Sequence, residues 1–388
     1  MFVNKGLFDL SKKIISYDTV SNKENVSCSE YIADYLDGFG FKVDLYRDHM
    51  FGDDKAQIVA SIGPANGGNG IILSGHLDIV PFENQPGWVR DPLVLTLEDD
   101  KLFGRGTSDM KVFITQALVA LKKINLQKLK SQLVFILTCD EEICCQGAKR
   151  LVPILKEGLS ERPLPSQALV GEPTDFKVFH AHKGIGVFHL ITTGVAGHSS
   201  RPDRGTNAIT DMTKIINVID KVNDELISEK KNLDHDLYPQ WPYCSINIGR
   251  IFGGVADNMI PERCEIQVSV RSTLQNNADT IIARIKEEIG KLNLKGLVSW
   301  EGLLTAPALR SSDQTEAFKF LSSYYNQSQV VGAPYVTDAG HFSDLGIDSY
   351  ICGPGSLSQA HMPNESIQLS HFESGVDMIQ ALIEKMCL

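Results

Sequence analysis

Nowhere in the 388 residues does an apolar run approach the roughly 18 consecutive residues that a membrane-crossing helix requires. A membrane span is therefore not expected. The opening segment MFVNKGLFDLSKK also lacks the apolar stretch and small-residue cleavage site of a secretory signal, so a cytoplasmic protein is the expectation. CxxC is missing too, which leaves the eight cysteines without a thiolate metal site or a thioredoxin-like redox pair; a reduced, buried set is expected of them. Positive charge is in short supply. With 37 Lys and Arg against 48 Asp and Glu, and no dense basic block, the chain carries a formal charge of −11, which argues against a nucleic-acid or anionic-membrane surface. GxSxG is absent and GHSSRP is no substitute, so a serine hydrolase of that type is excluded. There is no internal repeat or low-complexity tract.

What is present is enough apolar material, 43% of residues, to fill one large core and a smaller second one. Over the first third, helical and extended patterns alternate, as an α/β domain requires. LFDLSKKIISY and SEYIADYLDGFG read as helices, FKVDLY, AQIVASIG and IILSG as strands, and SQLVFILT and QALVG as two more buried strands. MKVFITQALVALKKI reads as a helix that Asp109 can cap while also pointing into a site. These predict a mixed or mostly parallel central sheet flanked by helices. After residue 181 the order becomes strand, helix, strand, strand, helix, which describes a smaller α/β sandwich of the ferredoxin-like kind at 182–292. The larger domain is then discontinuous, comprising 1–181 and 293–388.

Acidic residues and histidines stand at the ends of the predicted strands. His76 and Asp78 follow IILSG, Asp109 lies in GRGTSDMK, Glu141 and Glu142 follow SQLVFILT, Glu172 follows QALVG, and His361 comes late in GPGSLSQAHMPNE. In open α/β sheets, functional groups gather outside the carboxyl ends of strands, so these distant positions can converge. Taken singly, each carboxylate reads equally as a solvated turn or cap, and each histidine as a satisfied loop residue. Together, imidazole and carboxylate ligands suit two divalent metals, zinc, cobalt or manganese, with Asp109 as bridge. The doubled Glu141-Glu142 suggests one metal ligand beside one proton acceptor, and Asp78 can orient the His76 imidazole.

At these residues the sequence resembles the dinuclear metallo-aminoacylase and metallopeptidase family. SGHLDIVPF, GRGTSDMK, DEE, GEPT, AHKG, GHSSRPDRGTNAI, GGVADNMIPERCE and GPGSLSQAHMPNE follow the family order along essentially the whole chain. The resemblance implies a zinc-peptidase-like catalytic domain interrupted by a lid and dimerisation domain. It implies His76 and Glu172 as ligands of one ion, Glu142 and His361 of the other, and Asp109 bridging. Glu141 would be the acid/base that activates a water between the ions, and Asp78 would orient His76. His198 of GHSS would cross to the partner's active site in a homodimer and stabilise an oxyanion. Two divalent ions, zinc or cobalt, are implied for each subunit.

The resemblance implies a small N-acyl amino acid as substrate, with a free α-carboxylate beside the acylated nitrogen. Lys183, Asn258, Arg271, Asp338 and Gly355 match its substrate-facing positions, and Arg271 suits a bidentate carboxylate contact. VPFENQPGWVRDP, AHKGIG and YCSINIGRIFGG look like the branch that deacetylates N²-acetyl-L-ornithine in arginine biosynthesis. Desuccinylases, broad N-acyl-amino-acid deacylases and dipeptidases are the neighbouring branches, and a homologue that binds metal without turnover is a reading from another class. Two positions depart from that branch: Asp338 replaces a Glu, and Ser269 an acidic residue two before Arg271.

Overall fold

A computed structural model describes residues 4–50, 53–65, 67–229, 233–327 and 331–388. Residues 1–3 of the opening segment and Asn66 of the PANGGNG turn lie outside the described residues. The chain forms two units, one of 1–181, 310–330 and 337–388, the other of 182–309 and 331–336. Each has its own apolar core.

The larger unit is built on a six-stranded mixed sheet, in the order Lys42–Met50, Asp53–Ile62, Gln132–Thr138, Gly70–His76, Gln167–Val170, Asp348–Ile351. The last four run parallel, and the first two form an antiparallel hairpin against them. Gly70–His76 and Gln132–Thr138 are buried throughout, as their unbroken apolar runs require of strands covered on both faces. In register, His76 lies beside Thr138 and Ser74 beside Val170, so three parallel strands end at nearly one level. The loops that follow carry the candidate ligands.

Helix Lys111–Ala120 is buried at every position and packs against the N-terminal helix Lys5–Ile15, the C-terminal helix Leu369–Cys387 and the sheet. Its phenyl group Phe113 sits where a Cβ on Gly171 would stand, 2.0 Å away, so only glycine allows this approach immediately before Glu172. Asp109 makes no side-chain cap to this helix, whose N-cap position is Met110.

The smaller unit has an antiparallel sheet in the order Ser245–Gly253, Arg263–Ser272, Gly184–Thr193, Leu297–Ala306. Helices Ala208–Ser228 and Ala278–Gly290 pack on it, each opened by an asparagine side chain that accepts a backbone N–H. The β-α-β-β-α-β order is the ferredoxin-like pattern. The sequence boundary at 292 falls one strand short. LVSWEGLLTA pairs with Gly184–Thr193 and satisfies what would otherwise be an open edge, which carries the unit to residue 309. Among the described residues, no helix is long and apolar enough to cross a membrane.

Candidate metal centre

The strand Gly70–His76 delivers His76 to the carboxyl edge of the larger unit's sheet, where its side chain is 1% exposed. Its Nδ1 lies 2.9 Å from the backbone oxygen of Asp78, and its Nε2 lies 3.0 Å from Asp109 Oδ1. The other Asp109 oxygen, Oδ2, is 3.3 Å from His361 Nε2, which also lies 2.9 Å from Glu142 Oε2. Two groups of potential ligands result, His76–Asp109–Glu172 and Asp109–Glu142–His361, with ligand atoms in each within 4.8 Å of one another. Asp109 belongs to both. The arrangement accommodates two divalent metal ions per chain.

The electrostatics fit cations. Burial pushes the Glu172 carboxyl well above its ordinary range, and the Asp109 charge adds to the effect. Glu142 is raised in the same way, by burial and then Asp109. Against burial, hydrogen bonds from His361 and His76 hold the Asp109 carboxyl below its ordinary value. Bonds to Asp109 and Glu142 push His361 up to about 10, and the Asp109 contact raises His76 well above 6.5 although burial opposes it. Crowded carboxylates beside histidines that retain protons are a donor set that divalent cations would neutralise.

Glu141 lies beside this cluster. Burial, then the charge of Glu172, drives its carboxyl well above the ordinary carboxylate range. The Cys145 thiol donates to its Oε1 at 3.5 Å. Asp78 corrects the expectation that its carboxylate orients His76. Its Oδ1 is 3.6 Å from His76 Nδ1, beyond a good hydrogen bond, whereas its backbone oxygen makes the close contact. The carboxylate instead accepts the backbone N–H groups of Glu141 at 3.1 Å and Glu142 at 3.2 Å, and the Ser21 hydroxyl at 2.7 Å. Beside it, the Asp140 carboxylate accepts from Arg150 at 2.7 Å and faces the buried Lys55 ammonium at 3.4 Å. Ser21, Lys55 and Arg150 carried no signal in the sequence, because their value lies in contacts across long separations.

Asp338 is not on an open substrate face. It is 2% exposed, accepts the Thr138 hydroxyl at 2.5 Å and is bonded by the Cys145 thiol, and burial lifts its carboxyl to about 6. Gly355 has φ +81°, and a Cβ there would stand 2.3 Å from the hydroxyl of Ser108, the residue before Asp109. Its space is taken up by the Asp109 loop.

The remaining expected residues belong to the smaller unit. His198 is exposed, in the short strand Gly197–His198 paired with Met259–Ile260, and its Nδ1 accepts the Ser200 hydroxyl at 2.8 Å. Asn258 adjoins it, its carbonyl accepting the Ser199 N–H at 2.9 Å. Lys183 differs from expectation: 4% exposed, its ammonium donates to the carbonyls of Trp241 at 2.7 Å and Tyr243 at 2.8 Å and lies over the rings of Tyr238 and Tyr243. It ties down the 238–243 segment. Arg271 is half-buried on the strand Arg263–Ser272, opposite Ser245 and Ile185.

Residues 72–385 match peptidase family M20/M25/M40. An acetylornithine deacetylase of Proteus mirabilis is 30% identical over 387 residues, covering 97% of this chain and 94% of the relative. One of Aliivibrio fischeri is 28% identical over 384 residues, covering 97% and 96%. Among solved structures, an M20 family metallo-carboxypeptidase from Sulfolobus solfataricus superposes with TM-score 0.77 at 18% identity, covering 98% of this chain and 99% of that one. A di-peptidase from Saccharomyces cerevisiae gives 0.77 at 16%, covering 98% and 95%. The likeness in fold, the family match along most of the chain and the paired ligand groups agree: the chain belongs to peptidase family M20/M25/M40 and is a metallohydrolase of amide or peptide bonds.

Proposed function

We propose that this metallohydrolase converts N²-acetyl-L-ornithine and water to L-ornithine and acetate, a step of arginine biosynthesis. The observation that carries the chemistry is Asp109, whose two oxygens face different histidines in two adjoining ligand groups. The substrate reading rests on the names of the relatives that match nearly end to end.

Two divalent cations, zinc or cobalt, held by His76, Asp109, Glu142, Glu172 and His361, would polarise an amide carbonyl and lower the pKa of water there. Glu141 accepts the water proton at Oε2, the oxygen that Cys145 leaves open, and returns it to the departing nitrogen. Asp78 fixes the backbone under Glu141, so the acceptor does not reorganise during the reaction. In a homodimer formed through the smaller unit, His198 would reach the partner's centre and donate to the developing oxyanion. The exposure of His198, with Nδ1 engaged by Ser200 and Nε2 left as the donor, supports that reading. Arg271 is proposed as the partner of the substrate carboxylate.

The test is release of free amine from N²-acetyl-L-ornithine by the metal-loaded protein. N-succinyl-L,L-diaminopimelate, N-acetyl-L-methionine and chelated enzyme run beside it. A metal-dependent preference for acetylornithine supports the assignment. Preference for another substrate moves the protein to a sister activity with the same centre.

A further inference from the structure

We propose that Glu365 is a positioning residue that sets the spacing of the two metal-ligand groups by fastening the Asp109 loop to the His361 segment. The inference rests on the two-metal reading above and not on the identity of the substrate. Glu365 stands four residues beyond His361, and its side chain is 0% exposed. Oε1 accepts the backbone N–H of Ser108 at 2.7 Å and that of Asp109 itself at 3.0 Å. Oε2 accepts the N–H of Gly106 at 3.1 Å and the Arg105 guanidinium at 2.8 Å. One carboxylate thus gathers four donors from five consecutive residues ending at Asp109.

The other end of the device is the His361 loop. Arg105 also donates to Gln85 Oε1 at 2.6 Å and to the Met362 carbonyl at 3.3 Å, and the Gln85 amide donates to the His361 carbonyl at 2.6 Å. The Glu365 backbone carbonyl accepts the Gly104 N–H at 3.0 Å. Two loops about 250 residues apart in sequence are thereby joined. Asp109 is common to both ligand groups and His361 to one, so a shift of the first loop against the second changes the geometry of both groups.

The donor count makes the position intolerant of an amide. Each carboxylate oxygen receives two N–H groups, so either orientation of a glutamine would set its NH₂ against two donors. Glu365→Asp keeps the charge opposite Arg105 but withdraws the carboxylate by one methylene from the three backbone donors.

The experiment titrates metal-free wild type, Glu365→Gln and Glu365→Asp with zinc against a competing chelator, with ion stoichiometry and thermal midpoint measured in parallel. For folded variants the expected result is an affinity loss of ~10–100-fold for both ions. A folded variant that binds two ions with wild-type affinity overturns the inference. Hydrogen exchange on metal-free wild type decides the matter should neither variant fold. Ser108 and Asp109 amides protected like those of the core strand Gly70–His76 support a preformed clamp, and exchange at exposed-loop rates overturns it. Wild type that takes up no zinc overturns the two-metal reading itself, and this inference with it.

Discussion

The Asp78 carboxylate accepts the backbone N–H of Glu141 at 3.1 Å, so a residue sixty-three positions earlier holds the backbone of the proposed proton acceptor in place. The same carboxylate holds Glu142, one of the proposed ligands. Asp78→Asn leaves one oxygen for two backbone donors and the Ser21 hydroxyl. We expect kcat to fall ~10–100-fold with little change in KM. Steady-state kinetics with metal in excess checks this, and an unaltered kcat would refute a positioning role for Asp78.

Glu141 contributes to neither ligand group, while its neighbour Glu142 does. Glu141→Gln is therefore expected to keep two ions while hydrolysis falls ~10²–10⁴-fold, the range for a lost general base. Elemental analysis and turnover on the same sample separate the two effects. Loss of both ions would make Glu141 a ligand instead.

Asp109→Ala removes the carboxylate common to both groups. Occupancy should drop at both positions, which elemental analysis of the dialysed protein would record. Retention of two ions per chain would refute the bridging assignment.

Metal uptake is expected to release protons. Bonded to Asp109 and Glu142, His361 keeps its proton up to about pH 10, and His76 keeps its own well above pH 6.5. A ligating nitrogen must be deprotonated, so at neutral pH each entering ion displaces protons and affinity rises with pH towards about 10. Calorimetric heats should then differ between buffers of unequal ionisation enthalpy. Equal heats would show that the histidines enter the reaction neutral.

His341 supplies a stability prediction away from the metal centre. Burial lowers its pKa from 6.5 to about 4, so below pH 6.5 the unfolded chain takes up a proton that the folded chain refuses. Stability therefore falls as pH falls through that window, by up to ~3 kcal/mol from this group. His341→Gln should flatten the fall between pH 6.5 and 4 in urea unfolding of the larger unit. Parallel curves for the two proteins would contradict it.

The parallel strands and the residues at their ends were legible because buried strands are unbroken apolar runs, and several of these runs stop at or just before a His, Asp or Glu. IILSG followed by His76, and QALVG by Glu172, are examples. The strand Leu297–Ala306 was not legible as part of the smaller unit. Half-exposed and irregular in register, it is defined by its partner Gly184–Thr193 more than by its own pattern. The partners of Asp338 and Lys183 were not legible either, because only the fold brings the Thr138 hydroxyl and the Trp241 carbonyl to them.

The sequence by itself determined the two-domain α/β architecture, the family and the set of residues that can hold metal, because period, strand-end chemistry and motif order are local properties of the chain. Tertiary structure alone decided which oxygen of Asp109 faces which histidine, that Asp78 serves the Glu141 backbone, and that Glu365 binds the Asp109 loop. Those are relations between segments tens to hundreds of residues apart. A hydrogen bond depends on distances of a few tenths of an ångström, which packing fixes and spacing along the chain does not.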